Sequence, residues 1–182
     1  GCPGLLGSMT VGASTVFTTD SSPEAAFALI DKYRVTVTGL VNALAKVWTQ
    51  ACEWEPVLPT SLRLVQVGGS RMTPDEARYI LDGLTPGLSQ IFGMAEGMLN
   101  FTRPGDPLDV VLNTKGRPMS PHDEMRVVDE NGHDVPPGEE GELLVRGPYT
   151  LNGYYRAEDA NARSFTPDGF YRTGDRVRIF AD

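Results

Sequence analysis

The sequence predicts an α/β fold, a mostly parallel βα sheet layer followed by a smaller β-rich lobe, and two observations carry that prediction. Between residues 10 and 92, short apolar or β-branched runs alternate with stretches whose apolar residues recur every three to four positions, the order of successive βα units. From about Gly105 onward, Gly, Pro and Asp instead punctuate short apolar runs, as in a lobe of short strands. The expected division is an α/β subdomain at 1–104 and a β-rich subdomain at 105–182.

Residues 10–18 are rich in β-branched and small side chains and predict the first strand. A helix should then open at Ser22-Pro23-Glu24: Ser22 can cap, Pro23 suits the first helical position, and Ala26, Phe27 and Ile30 share a face. Residues 34–40, with Val35, Val37 and Leu40, predict a second strand. Leu44, Val47, Trp48 and Ala51 give 41–54 the spacing of a half-buried helix. A short strand over 62–67 runs into Gly68-Gly69-Ser70, after which Thr73-Pro74-Asp75-Glu76 has the spacing of a capping box with Pro in the first turn. In the second lobe, strands are expected at 125–129, 141–146 and 176–180, with a single helix over 156–165.

The 182 residues carry 16 Lys+Arg against 24 Asp+Glu, a net charge of −8, and the basic residues are scattered singly. This balance argues against nucleic-acid and anionic-membrane partners. No apolar run is long enough to cross a bilayer and no signal-peptide pattern begins the chain, which makes the cytoplasm the expected compartment. Cys2 and Cys52 lack metal-binding spacing, and His122 and His133 lie in loop-like stretches without a neighbouring nucleophile. Cys52 reads as a small packed residue and both histidines as surface residues. The start at Gly1-Cys2-Pro3 and the end just after an apolar alternation suggest a stretch cut from a longer protein.

Three segments could carry chemistry. Glycines at Gly68-Gly69-Ser70 would let backbone approach a flat ligand, or would form an ordinary strand-to-helix turn. In Gln90-Ile91-Phe92-Gly93-Met94-Ala95-Glu96-Gly97 an apolar strand ends in an aromatic, a glycine and a carboxylate. A flat ring could lie against Phe92 while Glu96 holds a hard cation such as Mg²⁺, although a core Phe and a solvated Glu explain the same spacing. Tyr171-Arg172-Thr173-Gly174-Asp175 puts an acid in a glycine turn between two short strands. That carboxylate could accept bonds from vicinal ribose hydroxyls or only from its own backbone. The stretch 141–147 followed by Gly153-Tyr154-Tyr155 reads as a structural strand and turn.

Taken in order, these segments, with Gln66-Val67-Gly68-Gly69-Ser70, Gly116-Arg117-Pro118-Met119 and Arg146-Gly147-Pro148-Tyr149-Thr150, resemble the adenylate-forming superfamily over essentially the whole chain. Within it they are most similar to aryl-acid AMP ligases of siderophore synthesis, and among those to the mycobactin-type salicylate ligases. The resemblance implies part of the large N-terminal domain of such an enzyme. Gly68, Gly69 and Ser70 would wall the adenine and aryl pockets, Ile91, Phe92, Gly93, Met94 and Ala95 would line the nucleotide, Glu96 would bind the Mg²⁺ accompanying ATP, and Asp175 would hold the ribose. Ala95 stands where many superfamily members have Thr, as in the aryl-acid subgroup. Cys2 stands where dihydroxybenzoate ligases have a Ser that can bond the 3-hydroxyl, and Leu99 where they often have the smaller Val. Both changes favour salicylate.

The implied chemistry is attack of an arylate on the α-phosphorus of ATP, followed by transfer of the acyl group to the phosphopantetheine thiol of an aryl carrier protein. No Ser/Thr/Gly-rich phosphate loop ending in Lys precedes the first strand and no domain with a catalytic Lys follows Asp182, so these residues alone are expected to lack ligase activity. A 2,3-dihydroxybenzoate ligase, another acyl- or amino-acid-adenylating enzyme and a non-catalytic binding module are the alternatives. A dinucleotide-dependent oxidoreductase is disfavoured because no G-x-G-x-x-G follows the first strand.

Overall fold

The structure, a computed structural model, describes residues 4–180. It is mixed α/β, with a parallel sheet followed by a smaller antiparallel one. Two compact units divide the chain: residues up to Phe92 together with Phe101–Arg117, and Gly93–Asn100 together with the chain from Pro118 onward. The division is not a single cut. In the first unit Gln90 Nε2 donates to the Val111 carbonyl at 2.7 Å, and in the second Met119 N–H donates to the Leu99 carbonyl at 2.7 Å, so the 93–100 turn and the 101–117 segment belong to different bodies.

Helix α1 (Gly4–Thr10) begins the described chain. Residues 11–18 form no strand, contrary to the expectation for 10–18. Their apolar side chains are exposed, with Val11 at 78% and Phe17 at 71%, and no strand among the described residues pairs with them. β-propensity expresses a fit to a pleated, half-buried surface, which this segment does not have among the described residues.

In the first unit, helix α2 (Pro23–Tyr33) starts where its cap predicts, with Ser22 Oγ accepting from Ala25 N–H, and buries Ala26, Phe27 and Ile30. Strand β1 (Val37–Val41) leads to helix α3 (Asn42–Ala51), strand β2 (Leu64–Gly68), helix α4 (Pro74–Gly83) and strand β3 (Leu88–Gly93). The capping box of α4 is complete: Thr73 Oγ1 accepts from Glu76 N–H at 3.3 Å and Glu76 Oε2 from Thr73 N–H at 2.8 Å. β1 pairs parallel with β2 in the register Val37 to Leu64, and β2 parallel with β3 from Val65 to Leu88. That register turns Leu40, Val65, Val67 and Leu88 to one face, where they pack with Phe27, Ile30, Trp48 and Ile80. Trp48 meets Phe27 edge to face at 5.6 Å and satisfies its indole N–H on the Ser21 carbonyl. The short helix α5 (Leu108–Asn113), which the sequence reading missed, adds Val111 to this core. The five-residue strand β2 therefore ends at Gly68, and its carboxyl end presents Gly68 to Ser70.

The second unit contains strand β6 (Glu124–Val128), strand β7 (Glu140–Arg146) and strand β8 (Tyr171–Arg178), antiparallel in the order β6-β7-β8. Two shorter strands precede them in the chain, β4 (Leu99–Phe101) and β5 (Arg117–Pro118). Val128, Leu144 and Phe170 form the core, and the Arg146 guanidinium covers the Phe170 ring at 4.3 Å. Helix α6 (Glu158–Ser164) occupies the middle of the span expected to be helical. The turn expected at 171–175 is instead the start of continuous strand β8. Tyr171 and Arg172 pair with Val145 and Leu144, the register slips, and Arg176 pairs with Glu142, so the glycine is accommodated by a bulge within the strand.

Candidate functional site

The first unit supplies a wall of backbone. Gly68 lies at the end of β2 beside Ile91 of β3: a Cβ there would stand 3.2 Å from the Ile91 carbonyl oxygen and 3.3 Å from the Ile91 Cβ. Gly69 has φ +88°, and Gly69 and Ser70 are exposed just beyond the strand end. Ligands on open parallel sheets bind outside the carboxyl ends of the strands, which is where Gly68, Gly69, Ser70, Ile91 and Phe92 stand in this unit. Ile91 and Phe92 are half-buried, which leaves part of each side chain accessible. Beneath them Gln90 is buried and fully occupied, its amide donating to Val111 and Leu112 carbonyls and its oxygen accepting from Lys115 Nζ at 2.7 Å. Burial, and secondarily the positive charge of Arg71, push the Lys115 ammonium pKa down.

The second unit supplies the carboxylates. Gly93 and Met94 lead into a tight turn in which Met94 N–H donates to the Met98 carbonyl and Gly97 N–H to the Met94 carbonyl. Ala95 is exposed at its outer edge, and Leu99 returns against Gly93, where a Cβ would lie 2.7 Å from Leu99 Cδ1. Glu96 at the head of the turn is half-buried. Its carbonyl accepts from Leu151 N–H at 2.8 Å and its Oε1 from the Tyr154 hydroxyl at 3.1 Å.

Asp175 is exposed on the β8 bulge. Thr173 Oγ1 donates to the Leu143 carbonyl at 2.9 Å and accepts from Asp175 N–H at 3.0 Å, so a single hydroxyl ties the bulge to β7 and orients the Asp175 backbone. The side chain carries no hydrogen bond or ion pair among the described residues, leaving both oxygens available as acceptors.

Tyr154, in the stretch read from the sequence as a structural strand and turn, reaches Glu96. Asn161 of α6 grips its backbone on both sides, with Oδ1 accepting from Tyr154 N–H at 2.7 Å and Nδ2 donating to its carbonyl at 2.9 Å. Its hydroxyl lies 3.0 Å from that of Tyr171 as well as beside Glu96. The only local signal is the Gly153-Tyr154-Tyr155 turn, since the contact spans 58 residues.

The fit to a divalent cation can be judged from the donor set. No group of three or more His, Cys, Asp or Glu side chains able to cage a metal exists among the described residues. Glu96 is nevertheless a half-buried carboxylate with no cationic partner among them. Mg²⁺ is commonly held by one or two carboxylates with substrate phosphates and water completing its octahedron, and a single such carboxylate fits that mode.

Cys2 lies outside the described residues. Cys52 is half-buried at the end of α3, donating to the Trp48 carbonyl, and burial pushes its thiol pKa up, so it is packed rather than poised. His122 and His133 are exposed. No helix among the described residues is long and apolar enough to cross a membrane.

A family profile described as "AMP-binding enzyme" matches residues 1–155. The chain is 67% identical over 177 residues to a salicyl-AMP ligase / salicyl-S-ArCP synthetase of Mycobacterium tuberculosis, covering 97% of this chain and 31% of that protein. It is 50% identical over 180 residues to a 2,3-dihydroxybenzoate-AMP ligase of Bacillus subtilis, covering 99% and 33%. Among solved structures, apo MbtA of Mycobacterium smegmatis superimposes with a TM-score of 0.93 at 67% identity over 100% of this chain and 33% of that one. ATP-bound MatB of Rhodopseudomonas palustris gives 0.82 at 27% identity over 95% and 34%. The chain thus spans about a third of the length of the curated relatives it matches.

Proposed function

The chain belongs to the AMP-binding enzyme family, and on that premise we propose that it is the nucleotide- and aryl-acid-handling segment of an ATP-dependent salicylate adenylating ligase. The observation that carries the substrate choice is the 67% identity to a protein named salicyl-AMP ligase, against 50% to one named for 2,3-dihydroxybenzoate. Leu99 in place of a smaller side chain supports the same choice, because a fuller pocket suits a ring with hydrogen at its 3-position.

In this reading Gly68, Gly69 and Ser70 admit flat rings to the sheet edge, and the apolar side of Phe92 receives the adenine. Asp175 accepts from the ribose hydroxyls. The arylate oxygen attacks the α-phosphorus of ATP, the bond to the bridging oxygen breaks, and pyrophosphate leaves, giving the aryl-adenylate. A carrier-protein phosphopantetheine thiol then attacks the acyl carbon and AMP departs. The residues of this chain act by holding the reactants in line through hydrogen bonds and packing rather than by covalent bonds to them. Glu96 would hold Mg²⁺, which neutralises charge on the phosphates when bound. The phosphate-gripping and lysine-bearing parts of the reaction are assigned to segments other than these 182 residues, and the segment alone should form no adenylate.

ATP–pyrophosphate exchange by the full-length ligase, compared for salicylate, 2,3-dihydroxybenzoate and benzoate, tests the proposal. Fastest exchange with salicylate is expected. Exchange with dihydroxybenzoate alone would move the substrate assignment, and none with any aryl acid would remove the ligase reading.

A further inference from the structure

The 93–100 turn, the 151–154 segment, α6 and β8 meet around one phenol. Tyr154 OH lies 3.1 Å from Glu96 Oε1 and 3.0 Å from Tyr171 OH. An ionised carboxylate has no proton to give and a phenol has one. The Tyr154 proton must therefore go to Glu96, and Tyr171 must donate to Tyr154. The chain of donors runs one way: Tyr171 to Tyr154 to Glu96.

We infer that Tyr154 is a positioning residue for the Glu96 carboxylate, fixing Oε1 and aiming Oε2 at the nucleotide-bound cation, with Tyr171 tying this aim to the strand that carries Asp175. The inference rests on the reading of Glu96 as the metal carboxylate. Each member of the relay is held independently of it. The Tyr154 backbone is clamped by the Asn161 amide, and its ring packs against Phe165 at 6.5 Å, which in turn packs against Tyr171 at 5.5 Å. The Glu96 main chain is anchored by Leu151, three residues before Tyr154, so the same segment grips both ends of the residue. Tyr171 opens β8 four residues before Asp175. A carboxylate left to rotate would lose affinity for a cation that demands near-ideal octahedral geometry, and a hydrogen-bonded second partner is the usual remedy.

The test measures Mn²⁺ binding by electron paramagnetic resonance, in the presence of ATP, on the full-length ligase and its Glu96→Gln, Tyr154→Phe, Tyr171→Phe and Glu96→Gln/Tyr154→Phe forms. Tyr154→Phe should weaken Mn²⁺ by about 10-fold, the lower end of the loss seen when a metal ligand loses its hydrogen-bonded partner. Tyr171→Phe, which leaves the direct bond to Glu96, should weaken it by less. In Glu96→Gln the further loss of the Tyr154 hydroxyl should change nothing, a non-additivity that general destabilisation would not produce. If Glu96→Gln binds Mn²⁺ as the unsubstituted protein does, the metal reading of Glu96 fails and the inference with it. If Glu96→Gln loses the ion while Tyr154→Phe keeps full affinity, only the inference is overturned. Should Tyr154→Phe not fold, an unchanged affinity in Tyr171→Phe overturns it equally.

Discussion

Gly97 and Thr150 approach backbone to backbone: a Cβ on Gly97 would stand 2.5 Å from Thr150 Cα and 2.9 Å from its Oγ1. Gly97 also has φ +133°, a region that side-chain-bearing residues avoid. The contact brings the 149–155 segment onto the 93–100 turn and so sets where Glu96 sits. Gly97→Ala should therefore be costly twice over, once for backbone strain of about 1–3 kcal/mol and again for the displaced Thr150. The expected outcome in the full-length ligase is loss of pyrophosphate exchange with a lowered melting temperature. A fully active, equally stable variant would show that the turn can be rebuilt without this approach.

Asp175 leads to a prediction about nucleotide choice. Its exposed carboxylate on a bulge pinned by Thr173 is suited to accept from two adjacent hydroxyls. Asp175→Asn replaces a charged acceptor by a neutral amide, and a hydrogen bond to a charged group contributes about 1.5–3 kcal/mol. The KM for ATP should rise about 10- to 100-fold on that basis, with a smaller effect on kcat. Preference for ATP over 2′-deoxy-ATP should collapse at the same time. An unaltered preference would remove Asp175 from the ribose site.

The parts of this architecture that were legible in the sequence are those with local causes. Ser22 and the Thr73–Glu76 pair announce α2 and α4 because caps are satisfied within three residues. Strands β2 and β3 declare themselves by apolar runs ending in glycine. The failures are of a different kind. Residues 11–18 have strand-like composition and no strand partner among the described residues, and the Gly174 turn proved to be a bulge because β7 continues to offer hydrogen bonds past it. Tyr154 could not be singled out because its hydroxyl meets a carboxylate 58 positions away. Glu96 and Asp175 could be nominated from their turns, whereas what holds them in place could not.

If Leu99 lines the aryl pocket as proposed, it should affect acid selectivity. It is half-buried, with its Cδ1 packed toward Gly93 at the start of the 93–100 turn. Leu99→Val removes one methylene from that position, and differences of this size in an apolar pocket alter discrimination by about 10- to 200-fold. The ratio of kcat/KM for salicylate to that for 2,3-dihydroxybenzoate should fall by about 10-fold, at the low end of that range. Exchange assays with both acids measure it directly, and an unchanged ratio would place Leu99 outside the aryl pocket.

The Lys46–Glu76 pair makes stability in the first unit depend on pH. Lys46 Nζ meets Glu76 Oε1 at 2.7 Å while Oε2 accepts from Thr73 N–H, linking α3 to the N-terminus of α4. The Lys46 hydrogen bond first, and the Thr73 N–H second, hold the Glu76 carboxyl down to about 2, against an ordinary value of 4.5. The folded value is the lower one, so the charged form stabilises the fold fully above about pH 4.5 and this contribution drains away as the pH falls toward 2. The side chains remain 42% and 26% exposed, and solvent screening limits the pair to about 1 kcal/mol. Glu76→Gln can still accept from Thr73 and so preserves the cap while removing the charge. Amide hydrogen exchange in α4 should accordingly run about five-fold faster in Glu76→Gln than in the unsubstituted protein at pH 7. The two should converge when compared at pH 2.5. A difference that persists undiminished at the lower pH would assign the effect to packing or cap geometry rather than to the ion pair.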